Sequence, residues 1–240
     1  MTTHMATTHM TTHPTTQIRP AGSGALLVCL DSPEHVTGLY HDLLADPPEG
    51  FIEAIPAAET VMVIFDPSRT SAAGIGPRLR AAAERTSTKM HEISSISSIS
   101  AIDEPREHQD PVSNVITIPV IYDGPDLDET ARRTGLSVEE VVRLHVAGEY
   151  VVAFCGFAPG FAYLSGVDPM LTLPRRSLPR TRIPAGSVAV SDRYSCVYPH
   201  ESPGGWHLLG RTSMVMWDLE REPPALLTQG TRVRFEQVTT

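Results

Sequence analysis

Between residues 156 and 212 the chain gathers the residue types that handle anions and flat apolar ligands. "GFAPGFAYLSG" (156–166) sets Gly156 and Gly160 either side of Pro159 and offers Phe157, Phe161 and Tyr163 as rings. Glycine reaches torsions closed to other residues and proline fixes one, so such a loop leaves amides unscreened beside an apolar wall. "PRRSLPRTRIPAGSVAV" (174–190) then interleaves Arg175, Arg176, Arg180 and Arg182 with Pro174, Pro179 and Pro184. A guanidinium fork matches carboxylate or phosphate oxygens in pairs, and stiffened chain loses less freedom on ligation. "YPHESPGGWHLLGRT" (198–212) adds Gly204 and Gly205 as a candidate nest of N–H groups, hydroxyls at Ser202 and Thr212, a charge at Arg211 and a flat face at Trp206. Each run has a plainer reading: rings that plug a barrel mouth, a solvated charged loop, and a tight hairpin turn.

Stronger signatures are missing. The sequence has no G-x-S-x-G elbow, no H-E-x-x-H and no G-x-G-x-x-G opening a helix. Its one lysine, Lys89, precedes Met90 and follows no glycine, which excludes a P-loop. Cys155 sits in an apolar strand, where burial raises a thiol pKa instead of activating it. His145, on a predicted helix, and His200 and His207, in the loop region, read first as hydrogen-bonded structural residues. His4, His9 and His13 repeat within "MTTHMATTHMTTH"; the composition reads as a disordered tail, with stray metal binding as the alternative. No metal site is expected.

The formal net charge of −9 argues against sequence-independent nucleic-acid binding, which needs a basic face. Three cysteines without zinc-like spacing read as small buried thiols in a reducing compartment. With no signal-peptide core and no membrane-spanning run, a cytoplasmic protein without membrane contact is expected.

The elements that must position these runs follow from periodicity. "GALLVCL" predicts a strand, and "SPEHVTGLYHDLLA" a helix capped by Ser32, with Pro33 first and Val36, Leu39, Leu43 and Leu44 on one face. "FIEAIPA" and "TVMVIFDP" predict two strands and "GPRLRAAAER" a helix, together a small α+β layer of split βαβ type. The serine-rich stretch at 87–113 reads as a linker, an isoleucine-striped docking helix being the alternative. "VITIPV" then predicts a strand, "DLDETARRTG" and "SVEEVVRLHVAGEY" two helices, the second with a Ser137/Glu140 capping box. Beyond Tyr150, "YVVAFCGF", "GSVAVSD", "SCVYP", "HLLGRT", "MVMWD" and "TRVRFEQV" read as short strands of a closed or nearly closed barrel. The expected architecture is α+β: a tail over 1–17, an N-terminal α+β domain over 18–86, the linker over 87–113, and a β-barrel domain over 114–240.

The three motifs above, "GTRVRF" near the C-terminus and "IPVIYDGPDLDETARRTGLSVEEVVRLHVAGEY" together resemble the KipI/PxpB family. The family includes the PxpB component of the bacterial ATP-dependent 5-oxoprolinase and is also labelled allophanate hydrolase first subunit or carboxyltransferase subdomain. The resemblance spans about Ile18 to Phe235, omitting the serine-rich excursion. It implies a cyclophilin-like C-terminal barrel and an obligate hetero-oligomer with a KipA/PxpC-type subunit, further joined by a PxpA-type subunit. The implied reaction opens 5-oxoproline to glutamate through a phosphorylated lactam, consuming ATP with Mg2+ shared with the partner subunit. Within it, Arg175, Arg180 and Arg182 are expected to be catalytic, with His145 or a partner group as the base. Gly160, Phe161, Ser187, Tyr198, Ser202, Gly204, Gly205, Trp206, Arg211 and Thr212 are the expected substrate and nucleotide contacts. Where the family commonly carries Gly-Gly-Gln-Thr-Gly before Tyr-Pro, this chain has Tyr194, Ser195 and Cys196 in the last three places, which leaves substrate identity open. A KipI-like regulator that docks on and inhibits a sensor histidine kinase is the alternative. A prolyl isomerase follows from a shared barrel alone, and no biotin-dependent or amidase motif points to a urea or allophanate enzyme.

Overall fold

The computed structural model describes residues 16–96 and 115–239, without side chains over 87–96. The chain divides into two compact units, Met1–Ile102 and Asp103–Thr240.

In the first unit β1 (Gln17–Pro20), β2 (Ala25–Cys29), β3 (Phe51–Pro56) and β4 (Thr60–Phe65) form an antiparallel sheet in the order β1-β2-β4-β3. Because β4 pairs antiparallel with both β2 and β3, those two run parallel with a strand between them, the predicted split βαβ. Helix α1 (Pro33–Ala45) crosses between them, and the Ser32 side chain accepts from the His35 N–H at its start. Val36, Leu39 and Leu43 bury one stripe against Val61, Val63 and Phe65, and Leu44 stays exposed. Helix α2 (Ala72–Ile96) begins earlier and ends later than the expected 76–85. It takes in ten residues assigned above to the linker, since extending a nucleated helix adds a bond for each residue fixed. The rest of the linker and most of the tail lie outside the described residues.

The second unit opens with β5 (Ile116–Val120), α3 (Leu127–Thr134) and α4 (Val138–Ala147). The Ser137/Glu140 capping box is present in both directions. Eight strands follow: β6 (Tyr150–Cys155), β7 (Ala162–Ser165), β8 (Arg180–Ile183), β9 (Ser187–Ser191), β10 (Tyr194–Val197), β11 (Ser202–Gly204), β12 (His207–Arg211) and β13 (Arg232–Gln237). Seven strands form one sheet in the order β12-β9-β10-β7-β6-β13-β5, with β8 and β11 a separate ribbon. Ile121, just past β5, and Arg211, the last residue of β12, exchange both backbone bonds at 2.9 Å and bring the sheet's two edges together. The result is a nearly closed barrel.

Period-two alternation divides its residues. Ile118, Val120, Tyr150, Val152, Leu164, Val188, Val197, Val233 and Phe235 pack together on one face. Leu127, Val141 and Val142 of the helices pack with Val190 and Leu209. "MVMWD" is not a strand: it contributes one bridge, Trp217 to Ala225, flanked by the Leu226 N–H to Met216 carbonyl and Asp218 N–H to Pro224 carbonyl bonds, and Pro224 and Pro223 stop it from extending past Asp218. Strands β1, β7, β8 and β11 were not expected. Among the described residues no helix is long and apolar enough to cross a membrane.

Candidate functional site

On β10 and just beyond it, Tyr194, Cys196 and Tyr198 alternate with Ser195 and Val197 and so share the face opposite the Val197 cluster. Phe154, Phe161, Tyr163, Trp206 and Ile183 join them there. Phe154 and Tyr163 stack at 4.2 Å between centroids, while Phe161 meets Tyr198 at 5.3 Å and Trp206 at 5.9 Å, both edge-on. These arrangements suit the ring quadrupoles. The 156–161 loop turns into β7 through Gly160 at φ +78°, where a Cβ would lie 2.8 Å from that of Trp217 and 3.3 Å from that of Pro199. Phe157 next to it is the exposed ring of the loop, in the left-handed region at φ 71°. The three runs quoted at the outset therefore meet on one ring-lined face.

The glycine pair serves a different purpose from the one expected. Neither Gly204 nor Gly205 has a positive φ, so they do not form a left-handed nest. A Cβ on Gly204 would lie 2.3 Å from the Tyr198 hydroxyl, so this glycine admits the phenol beneath the β8–β11 ribbon. The Gly205 carbonyl accepts from the Arg176 N–H at 2.7 Å, tying the arginine segment to Trp206's neighbour.

The arginines separate by partner. Arg180 binds both oxygens of Asp126 at 2.7 Å, and Arg176 reaches Asp126 at 2.6 Å and Glu129 at 2.5 Å. Asp126 is buried and also accepts from the Leu208 N–H at 2.8 Å. Burial pushes its carboxyl up, but the Arg180 bonds, the Leu208 N–H and the two positive charges outweigh this and hold it below the usual range. Arg182 pairs with Glu201 in solvent and Arg211 with Asp123. Arg180 and Arg182, expected to be catalytic, are thus already ion-paired, with Asp126 and Glu201. Among the described residues Arg175 is the arginine of this cluster with no carboxylate partner. Its charge is felt at Tyr163, Cys196 and Tyr198, where burial raises each group and the guanidinium opposes that rise.

His145 is on the other side of the sheet. Its Nδ1 lies 2.7 Å from the Tyr122 hydroxyl and its Nε2 2.9 Å from Ser195 Oγ, and its ring packs on Phe235. Ser195 Oγ donates to the Ala189 carbonyl, so Nε2–H donates to Ser195 and the Tyr122 hydroxyl donates to Nδ1. Fully buried, the imidazole is held neutral with its pKa pushed down to about 3. Strand β10 separates it from the rings, which corrects its assignment as a base there. Ser187 Oγ donates to the Pro184 carbonyl and Ser202 Oγ to that of His200. Arg211 and Thr212 line a cleft of about 260 Å³ at the barrel seam with Ile121 and Ala185, and no ring lines it. Cys155 is exposed and Cys29 half-buried, against the expected burial, and only Cys196 is enclosed. Although the residue as a whole is exposed, the Cys155 sulfur is partly covered, 3.7 Å from the Leu227 carbonyl, and that burial raises the thiol, in the direction expected. Asp126 was missed; its signal, an acid in "DGPDLDET" ahead of an arginine-rich run, pairs only through the fold.

The comparisons agree with this architecture. The family model described as carboxyltransferase domain, subdomain C and D, matches residues 16–227. The B subunit of the 5-oxoprolinase of Bacillus subtilis (strain 168) is 34% identical over 235 residues, 93% of each chain. Its counterpart in Escherichia coli O157:H7 is 47% identical over 135 residues, 55% of this chain and 62% of its own. The crystal structure of TTHA0988 superposes with a TM-score of 0.66 at 34% identity, over 93% of this chain and 40% of that one. The urea amidolyase of Kluyveromyces lactis shares the fold, with a TM-score of 0.66 at 20% identity over 92% of this chain and 15% of its own. This chain therefore spans well under half the length of those two solved chains. The match over residues 16–227 places the chain in the carboxyltransferase subdomain C and D class. Within it, the chain belongs to the KipI/PxpB family, that of the 5-oxoprolinase B subunits.

Proposed function

We propose that the chain is a cytoplasmic subunit of an ATP-dependent 5-oxoprolinase that turns 5-oxoproline into glutamate with KipA/PxpC-type and PxpA-type partners. The relatives' names support the enzyme complex. The observation that carries the reading is Arg175, exposed and without a carboxylate partner, whose chain runs beside Gly205 at the edge of the cluster of buried Phe161, Tyr198 and Trp206 and partly exposed Tyr163. 5-Oxoproline is a small flat ring bearing one carboxylate. Arg175 takes the carboxylate in a bidentate pair, while Tyr163, the partly exposed ring of the four, flanks the lactam, the other three being buried beneath it. The residues fit that substrate better than a triphosphate, because Arg180, Arg182 and Arg211 already hold carboxylates. On this reading ATP and Mg2+ are seated on a surface shared with the partner subunit, which also supplies the base.

The test is reconstitution. The chain mixed with both partner types should release ADP in response to 5-oxoproline, and the chain alone should not. Arg175→Ala should lower kcat/KM by about tenfold or more, since a lost charged hydrogen-bond pair at substrate costs about 1.5–3 kcal/mol. Wild-type kcat/KM in that variant removes Arg175 from the reaction. A silent complete complex, with this chain instead inhibiting a histidine kinase, replaces the enzyme by the regulator.

A further inference from the structure

Arg175 carries no ion pair of its own, yet the chain on either side of it is fastened. The Pro174 carbonyl accepts from His207 Nε2 at 3.0 Å, and the Arg176 N–H donates to the Gly205 carbonyl at 2.7 Å. The side chains of Arg176 and Arg180 then converge on one buried carboxylate, Asp126. Asp126 is itself fixed to β12, exchanging a bond in each direction with the Leu208 backbone: its N–H donates at 3.1 Å and its carboxylate accepts at 2.8 Å. It occupies the N-cap position of α3, where an aspartate ordinarily bonds the first free N–H groups of the helix, and it makes no such bond. Its oxygens are turned instead to the arginine segment.

We propose that Asp126 is a positioning residue for substrate: by clasping Arg176, the residue directly after Arg175, and Arg180 beyond it, it fixes the segment that carries Arg175 beside the ring cluster. The proposal rests on the reading of that face as the 5-oxoproline site. It assigns Asp126 no contact with substrate; its effect passes through Arg175.

Two measurements test it. In the free chain, Asp126→Asn should speed trypsin cleavage after Arg175 and Arg176 by about tenfold relative to cleavage after Arg234 in β13, because a local clasp opens without the barrel. In the reconstituted complex, Asp126→Asn should raise KM for 5-oxoproline about tenfold with kcat within about twofold, and should add less than about twofold once Arg175→Ala is present. Should Asp126→Asn fail to fold, Arg180→Gln opens the same clasp and carries the same expectations. Equal acceleration at all trypsin sites, or an Asp126→Asn cost undiminished by Arg175→Ala, overturns the positioning role. If Arg175→Ala leaves KM unchanged, the substrate reading of the face fails, and the hold of Asp126 on the segment is decided by the cleavage ratio alone.

Discussion

Acidification should loosen the barrel through His145 before any carboxylate is protonated. The imidazole is enclosed, its Nδ1 accepts from Tyr122 and its Nε2–H is committed to Ser195, so a second proton has no place to go. Its folded pKa lies at about 3, against about 6.5 in the unfolded chain. The unfolded state therefore binds the extra proton first as pH falls. Above about pH 6.5 both states are neutral and the group contributes no slope; below it stability falls by about 1.36 kcal/mol per pH unit until about pH 3. Between about pH 7.5 and pH 4.5 the loss amounts to about 2.7 kcal/mol. Asp126 does not contribute in that window: its lowered pKa keeps its stabilisation present above about pH 4, and it fades only further into acid. Both tryptophans, Trp206 and Trp217, belong to the barrel unit, so urea unfolding followed by tryptophan emission reports on it separately. His145→Gln, whose amide can accept from Tyr122 and donate to Ser195, is the control. The wild-type stability minus that of the variant should fall by about 2.7 kcal/mol across the window. A difference flat to within about 0.5 kcal/mol would mean that the site accepts a proton in the fold, and the account of a neutral structural histidine would be wrong.

The remaining expectations concern the ring face and its ribbon. Arg182→Ala breaks an ion pair standing in solvent and should leave urea stability within about 0.5 kcal/mol, with kcat/KM of the complex within about twofold of wild type; a tenfold loss would restore Arg182 to the catalytic set. Gly204→Ala places a methyl against the Tyr198 hydroxyl and 2.9 Å from Ile183 Cδ1, so it should cost about 1–3 kcal/mol and alter Trp206 emission. An unchanged urea midpoint would show that β11 and Tyr198 part freely.

Where local chemistry decides structure, the sequence was readable. Ser32 before Pro33, and Ser137 with Glu140, mark helix starts because each satisfies a backbone N–H with a side chain three residues away. The run "TVMVIFDP" carries a continuous apolar stretch, rich in β-branched residues, and is closed by a proline, and β4 ends at Phe65, directly before Asp66 and Pro67. Strands β8 and β11 were not readable, since "RTRI" and "SPG" carry no apolar alternation and exist only because each pairs with the other. "MVMWD" misleads in the opposite sense: its composition favours a strand, yet it makes a single bridge, Trp217 to Ala225, with prolines at one end of the facing segment.

The rigid, ring-rich character of the three runs was legible, but not the partners that their side chains take. Proline, glycine and aromatic spacing marked the three runs that meet, because rigidity and ring content are local properties. What each arginine does depends on which carboxylate the fold brings to it, and Asp126 lies 50 positions from Arg176 and 54 from Arg180. Asp123 and Glu201 likewise satisfy Arg211 and Arg182. His145 was misplaced for a related reason: it follows Val141 by four residues on α4, so the helical stripe that buries valine buries the histidine as well. Sorting cations by partner leaves Arg175 with its neighbours anchored and its own charge unspent. The proposed carboxylate contact falls on Arg175 for that reason, because a guanidinium already paired would have to give up one anion to take another.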